Sequence, residues 1–175
     1  MKSTANTLSF GLKFAAVFAL LFALFEASRG TLFEQIIVND AVLGTTATLI
    51  DTMSPREAVR VEGRNLVSPD SILRVTRGCE GVEMFLLLTA GILAFPATAK
   101  HRLRGFLIGA VLAYALTLAR LIMLHFALRY SPGAWNTLHG FVLPLGPVLL
   151  LALYFLHWSA SDGHRAGAGS PMPAN

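Results

Sequence analysis

The chain has 175 residues, of which 54% are hydrophobic and only 14% charged, and its mean hydropathy is +0.61. That balance excludes an ordinary soluble domain, a disordered chain and a collagen-like repeat. The net charge of +4 and the pI near 9.7 do not describe a nucleic-acid-binding face either. The Lys and Arg residues are scattered or gathered in one short loop, which is a membrane-topology pattern.

A hydrocarbon core of about 30 Å, crossed at about 1.5 Å per residue, requires about twenty apolar residues. Four windows meet or approach that length, at about 8–27, 81–95, 103–128 and 140–158. The second is the shortest, ending at Pro96 and carrying Glu80 and Glu83 in its expected first turn. The first reads as a retained anchor. The other reading is a signal peptide, since Lys2 precedes an apolar core, but Phe25, Glu26 and Ala27 make a poor cleavage site. The expected fold is an all-α polytopic membrane protein of about four transmembrane helices. One domain covers 1–160, and a Gly-, Ala-, Ser- and Pro-rich tail at 161–175 is expected to be disordered and cytoplasmic.

Residues 97–104 hold Lys100, His101, Arg102 and Arg104 with no acidic residue, so the positive-inside rule places this expected loop in the cytoplasm. Residues 28–80 then lie on the periplasmic side. Leu32, Phe33, Ile36, Ile37, Leu43, Leu49 and Ile50 have helical spacing, which predicts an amphipathic helix at the lipid interface over 32–53. Two alternating runs, 59–62 and 72–76, are separated by Gly63, Asn65 and Ser68-Pro69-Asp70, and they predict a small β-hairpin. An irregular loop is the other reading, because two strands alone are marginally stable.

Three polar residues fall at one depth in this topology: Cys79 before the second helix, His139 before the fourth, and Arg120 roughly sixteen residues along the outward-running third. A guanidinium in hydrocarbon costs at least about 2.5 kcal/mol on insertion scales, which argues for a role or a buried partner. Snorkelling to the outer surface is the alternative, over about 12 Å to the end of the helix. Cys79 is expected to be the cap or first residue of the second helix, so Glu83, four residues on, shares its helical face one turn deeper and is the expected partner of Arg120, with helix-dipole compensation as its simpler reading.

The single cysteine excludes an intramolecular disulfide and a multi-thiolate metal site within one copy. A helix N-terminus, Arg74, Arg77 and a facing Arg120 would each favour the thiolate of Cys79, although a lone Cys is commonly a small buried hydrophobe. His139 could serve as general acid or base, and Arg120 could stabilise an oxyanion or orient a carbonyl. An interfacial His beside Trp135 is the alternative for His139. His125 lies about 140° around the helix from Arg120 and is expected to face elsewhere. His101, His157 and His164 fall on the inner side. No metal-ligand spacing, Walker loop or dinucleotide fingerprint is present, so neither metal nor cofactor is expected.

Arg77-Gly78-Cys79-Glu80-Gly81-Val82-Glu83, then Ala119-Arg120-Leu121, then Leu138-His139-Gly140 resemble the ordered Cys, Arg and His motifs of the exosortase and archaeosortase family, most closely exosortase H. The likeness covers about 74–158 and rests on three short motifs, the first being the most specific. The resemblance implies a multi-pass cysteine transpeptidase of the bacterial inner membrane. Such an enzyme cleaves C-terminal sorting signals (a short motif, a transmembrane helix and a basic tail) from exported proteins and passes them to an envelope acceptor. By position, Cys79 would be the nucleophile, Arg120 the family arginine and His139 the family histidine. The family commonly has Asn three residues before the arginine, where this chain has Thr117, a weaker hydrogen-bonding support. A non-catalytic membrane scaffold or small-molecule carrier with a buried Arg120–Glu83 pair, and a protease without transfer, are the competing expectations.

Overall fold

The computed structural model describes residues 2–76 and 78–167. It is mostly helical. Helix α1 (Lys2–Ala27) is followed by a turn, by a single helical turn α2 (Leu32–Glu34), by a π-helical stretch at Gln35–Gly44, and by α3 (Thr45–Met53). A 3-10 turn (Pro55–Glu57) leads into strands β1 (Arg60–Glu62), β2 (Asn65–Ser68) and β3 (Ser71–Arg74), and α4 (Val82–Ala94) and α5 (Ala99–Tyr130) follow. A 3-10 turn (Pro132–Ala134), a single turn α6 (Trp135–Thr137) and a π-helical turn (Leu138–Val142) then run without a break into α7 (Leu143–Gly167).

Among the described residues three stretches are long and apolar enough to cross a membrane: Leu8–Ala27, Ala99–Tyr130 and Pro132–Ser161. The fourth expected span, α4, has 13 residues and a length of about 20 Å. Its limits have local causes. Gly81, with φ +77°, caps its start, and Phe95 turns extended with ψ 134° because the residue before a proline is pushed out of the helical region. Helix α5 begins earlier than expected. Thr98 accepts a hydrogen bond from the His101 N–H, so Lys100, Arg102 and Arg104 belong to the first turns of a helix rather than to a loop. Arg102 reaches back from there to donate twice to the Phe95 carbonyl, at 3.2 and 2.8 Å. At the other end α7 runs on to Gly167, so the expected disordered tail begins as helix, and 168–175 lie outside the described residues.

Segment 32–53 is helical as the spacing predicts. The expected hairpin is instead a three-stranded antiparallel meander, with the supposed separator supplying the middle strand. Val61 pairs with Leu66, and Leu66 pairs with Leu73. Two-residue turns connect the strands, Gly63-Arg64 and Pro69-Asp70, and Gly63 has φ +60° at the first turn position, where a left-handed residue matches the strand twist. The third strand and a hydrophobic inner face remove the marginality of an isolated hairpin.

Two apolar cores result. One joins Val38, Val42, Leu43, Ala47 and Ile50 of the helical segment to Val59, Leu66, Leu73 and Val75 of the sheet region, with Leu121 and Leu124 of α5, Leu143 of α7, and Cys79. The other lies among the long helices and contains Met84, Leu88, Ile92, Ala113, Leu151 and Trp158. Close approach within it depends on Gly105 and Gly109, a Gly-x-x-x-Gly pair that stands in α5 against the expectation that the chain has no such motif. A Cβ at Gly105 would lie 2.2 Å from Trp158 Nε1, and one at Gly109 would lie 2.6 Å from Leu88 Cδ2. Tyr154 donates to the Gly105 carbonyl at 2.7 Å.

Candidate active site

Cys79 lies on the turn between β3 and α4, bounded by two left-handed glycines, Gly78 (φ +82°) and Gly81 (φ +77°). Its N–H donates to the Thr76 carbonyl at 3.0 Å. The helix starts at Val82, so Cys79 is neither its cap nor its first residue. The side chain is buried in the apolar core, at 6% exposure, and Sγ is 3.7 Å from Thr76 Oγ1.

Arg120 comes to this turn from α5. Its Nη1 donates to the Gly78 carbonyl at 3.0 Å, its Nη2 lies 3.7 Å from Cys79 Sγ, and it is 4% exposed. The snorkelling alternative therefore fails, because the head group points into the protein. Its Nε is buried and has no hydrogen-bond partner among the described residues.

The expected Arg120–Glu83 pair is not formed. Among the described residues no carboxylate lies within salt-bridge distance of Arg120, and Glu83 Oε2 is buried without a hydrogen-bond partner. The four-residue spacing from Cys79 carries no helical phase, because Cys79 precedes the helix. Thr117 is buried and spends its hydroxyl on the Ala113 carbonyl of its own helix, at 2.9 Å. It supports the site by packing against Gly81 rather than by bonding Arg120.

His139 lies in the π-helical turn, half-buried, with its ring parallel to that of Trp135 at 5.0 Å. Trp135 and Leu138 pack on the core that contains Cys79, so the histidine sits at the same end of the molecule. Among the described residues no hydrogen bond joins it to the thiol, and its Nδ1 is buried without a partner. Arg74 ends β3 and is exposed, and Arg77 lies outside the described residues.

Two charge clusters escaped the sequence reading. Glu80, 1% exposed, is ion-paired with Arg29 at 3.5 Å and with Arg64. Arg29 also pairs with Glu26 at 2.7 Å and with Glu34 at 3.6 Å, and Arg64 pairs with Glu34 at 2.6 Å. The Glu26 hydrogen bond holds the Arg29 guanidinium above its ordinary value despite its partial burial. The Gly30 N–H donates to Glu34 at 2.7 Å and, with the two arginines, holds that carboxyl below the usual range.

The second cluster surrounds Glu57, which accepts from His125 Nε2 at 3.1 Å, from Arg129 and from the Tyr130 hydroxyl at 2.8 Å. Arg129 also pairs with Asp70 at 2.8 Å. Burial would raise the Glu57 carboxyl, but these bonds outweigh it and hold it low. Each cluster closes through residues far apart in the chain, so no local pattern announces it. The only sequence signal was the presence of acidic residues in an otherwise apolar chain.

Among the described residues no three His, Cys, Asp or Glu side chains converge as a metal site would require. A cavity of about 380 Å³ borders the Cys79 turn at Glu80 and Gly81, and its other walls include Phe25, Phe33, Phe85, Tyr114 and Thr117. The chemistry available at the site is that of a lone thiol beside a desolvated, incompletely paired guanidinium, an arrangement that can stabilise a developing oxyanion. Comparison with known proteins finds no matching family model, curated protein or solved structure.

Proposed function

We propose that this chain is an integral membrane cysteine transpeptidase or peptidase that cleaves C-terminal sorting signals from exported proteins. The observation that carries the proposal is the placement of Arg120, a buried guanidinium whose two terminal nitrogens address the Gly78 carbonyl and Cys79 Sγ. Forty-one residues separate Arg120 from the thiol, and a desolvated arginine spent on a thiol rather than on a carboxylate is a costly arrangement for packing alone.

In this reading α4 serves as a short fourth span, with the bilayer thinned around it. The basic first turns of α5 face the cytoplasm of a bacterial inner membrane, and the site faces the periplasm. Cys79 gives its thiol proton to His139, released from its stack on Trp135, and attacks the scissile carbonyl; Arg120 stabilises the tetrahedral oxyanion, and His139 passes the proton to the departing amine. The resulting thioester is resolved by an acceptor nucleophile or by water, and the proton lost by that nucleophile returns to His139.

The test is co-expression with an exported protein of the same cell that ends in a short motif, an apolar span and a basic cluster. Removal of the tail is followed by gel mobility. Cys79→Ala, Arg120→Ala and His139→Ala are expected to insert normally and to leave the tail in place. Wild-type processing by Cys79→Ala overturns the proposal.

A further inference from the structure

Four residues, Gly78 to Gly81, set the position of the thiol. Both ends of this turn are left-handed glycines, so its own backbone preferences do not hold it in one conformation. Its two interior side chains leave in different company. Cys79 meets Arg120 of α5, and Glu80 meets Arg29, just beyond α1, and Arg64, in the β1–β2 turn.

A carboxylate that is almost completely buried is tolerated only where its charge is matched, because desolvation without a partner costs several kcal/mol. Residue 80 can therefore stay in place only while both guanidinium groups hold it. Those groups are held in turn by Glu26 and Glu34. Adjacent Cα atoms lie about 3.8 Å apart through a rigid peptide, so a shift at Glu80 passes directly to Cys79.

We propose that Glu80 is a positioning residue: clamped by Arg29 and Arg64, it holds the glycine-bounded turn so that Cys79 Sγ stays against Arg120. The proposal rests on the reading of Cys79 as nucleophile and extends the machinery to α1 and to the β1–β2 turn. Removing the clamp lets the turn drift, and misplacement by about 1 Å costs on the order of a hundredfold in rate.

The experiment measures the pH dependence of Cys79 alkylation by N-ethylmaleimide in native membranes, with tail removal scored in parallel. In Glu80→Ala the pH profile of alkylation is expected to move, because Cys79 Sγ is no longer held against Arg120, and processing is expected to fall about a hundredfold. Glu80→Asp should recover part of both. In an Arg120→Gln background, Glu80→Ala should move the midpoint no further, since the contact it protects is already gone.

Glu57→Ala is the control. It loosens the other charge cluster and should leave the midpoint in place. Should Glu80→Ala fail to accumulate, Glu80→Gln removes the charge at constant shape and takes its place. An unmoved midpoint in the Glu80 variant, or a shift that adds to that of Arg120→Gln, overturns the proposal. Alkylation reads the geometry without any substrate. Processing that persists in Cys79→Ala would therefore defeat the transpeptidase reading alone, whereas a flat alkylation series would defeat the clamp alone.

Discussion

Replacing Gly81 by alanine should destabilise the protein and disturb the thiol at once. Gly81 has φ +77°, and a Cβ there would lie 2.0 Å from Thr117 Oγ1, 2.7 Å from its Cγ2 and 2.9 Å from its Cβ. Holding an L-residue in the left-handed region costs about 1–2 kcal/mol, and overpacking a buried contact adds about 1–3 kcal/mol. Thr117 cannot simply turn away, because its hydroxyl is bonded to the Ala113 carbonyl and its helix is packed on both sides of the contact.

The expected loss for Gly81→Ala is therefore about 2–5 kcal/mol, in two separable parts. Thr117→Gly removes all three close atoms and should restore the packing part when combined with Gly81→Ala, while the backbone part remains. The assay is denaturant titration of the purified protein in detergent, with all four corners of the double-mutant cycle measured and a coupling of about 1–3 kcal/mol expected. Full stability of Gly81→Ala would refute the left-handed cap. Strict additivity of the two substitutions would refute the contact with Thr117.

Two further predictions concern the Glu57 cluster and the carboxylates. Glu57→Ala strands His125 Nε2, the Tyr130 hydroxyl and Arg129, and it should cost about 3 kcal/mol in the same titration; a change below about 0.5 kcal/mol, as at an ordinary surface site, would show that the cluster does not fasten α5 to the Pro55–Glu57 turn. Glu57 and Glu34 both titrate below the usual range in the folded state, so their stabilisation is complete above the unfolded value of about 4.3 and is lost as the pH falls through the lower folded values. Thermal midpoints should decline on acidification below about pH 4.3, and less steeply in Glu57→Gln, whereas an equally steep decline in that variant would assign the acid sensitivity elsewhere.

The long apolar helices and Arg120 as the odd charge among them were legible because both are local properties of the sequence. A run of apolar side chains marks a membrane-crossing length without reference to any other part of the chain. A lone guanidinium in such a run is conspicuous by its desolvation cost. The helical segment 32–53 was legible for a related reason, since its apolar period repeats within a few turns. The third strand was not, because Asn65, Ser68, Pro69 and Asp70 carry turn chemistry and β2 becomes a strand only through pairing on both sides.

At the site, the sequence alone determined which residue types were available: one thiol, an arginine well inside a long apolar helix, and a histidine at the start of the last one. Which of them touch was decided by the tertiary structure. A helical phase counted from Cys79 paired Arg120 with Glu83, but two left-handed glycines delay the helix to Val82 and hand Arg120 to Gly78 and Cys79 instead. Glu80 looked like an ordinary first-turn acid until α1 and the β1–β2 turn brought Arg29 and Arg64 to it. Residue type and hydropathy are written along the chain, whereas the pairing of buried charges depends on segments about 16 to 70 residues apart meeting at one place, and only the packed fold specifies that meeting.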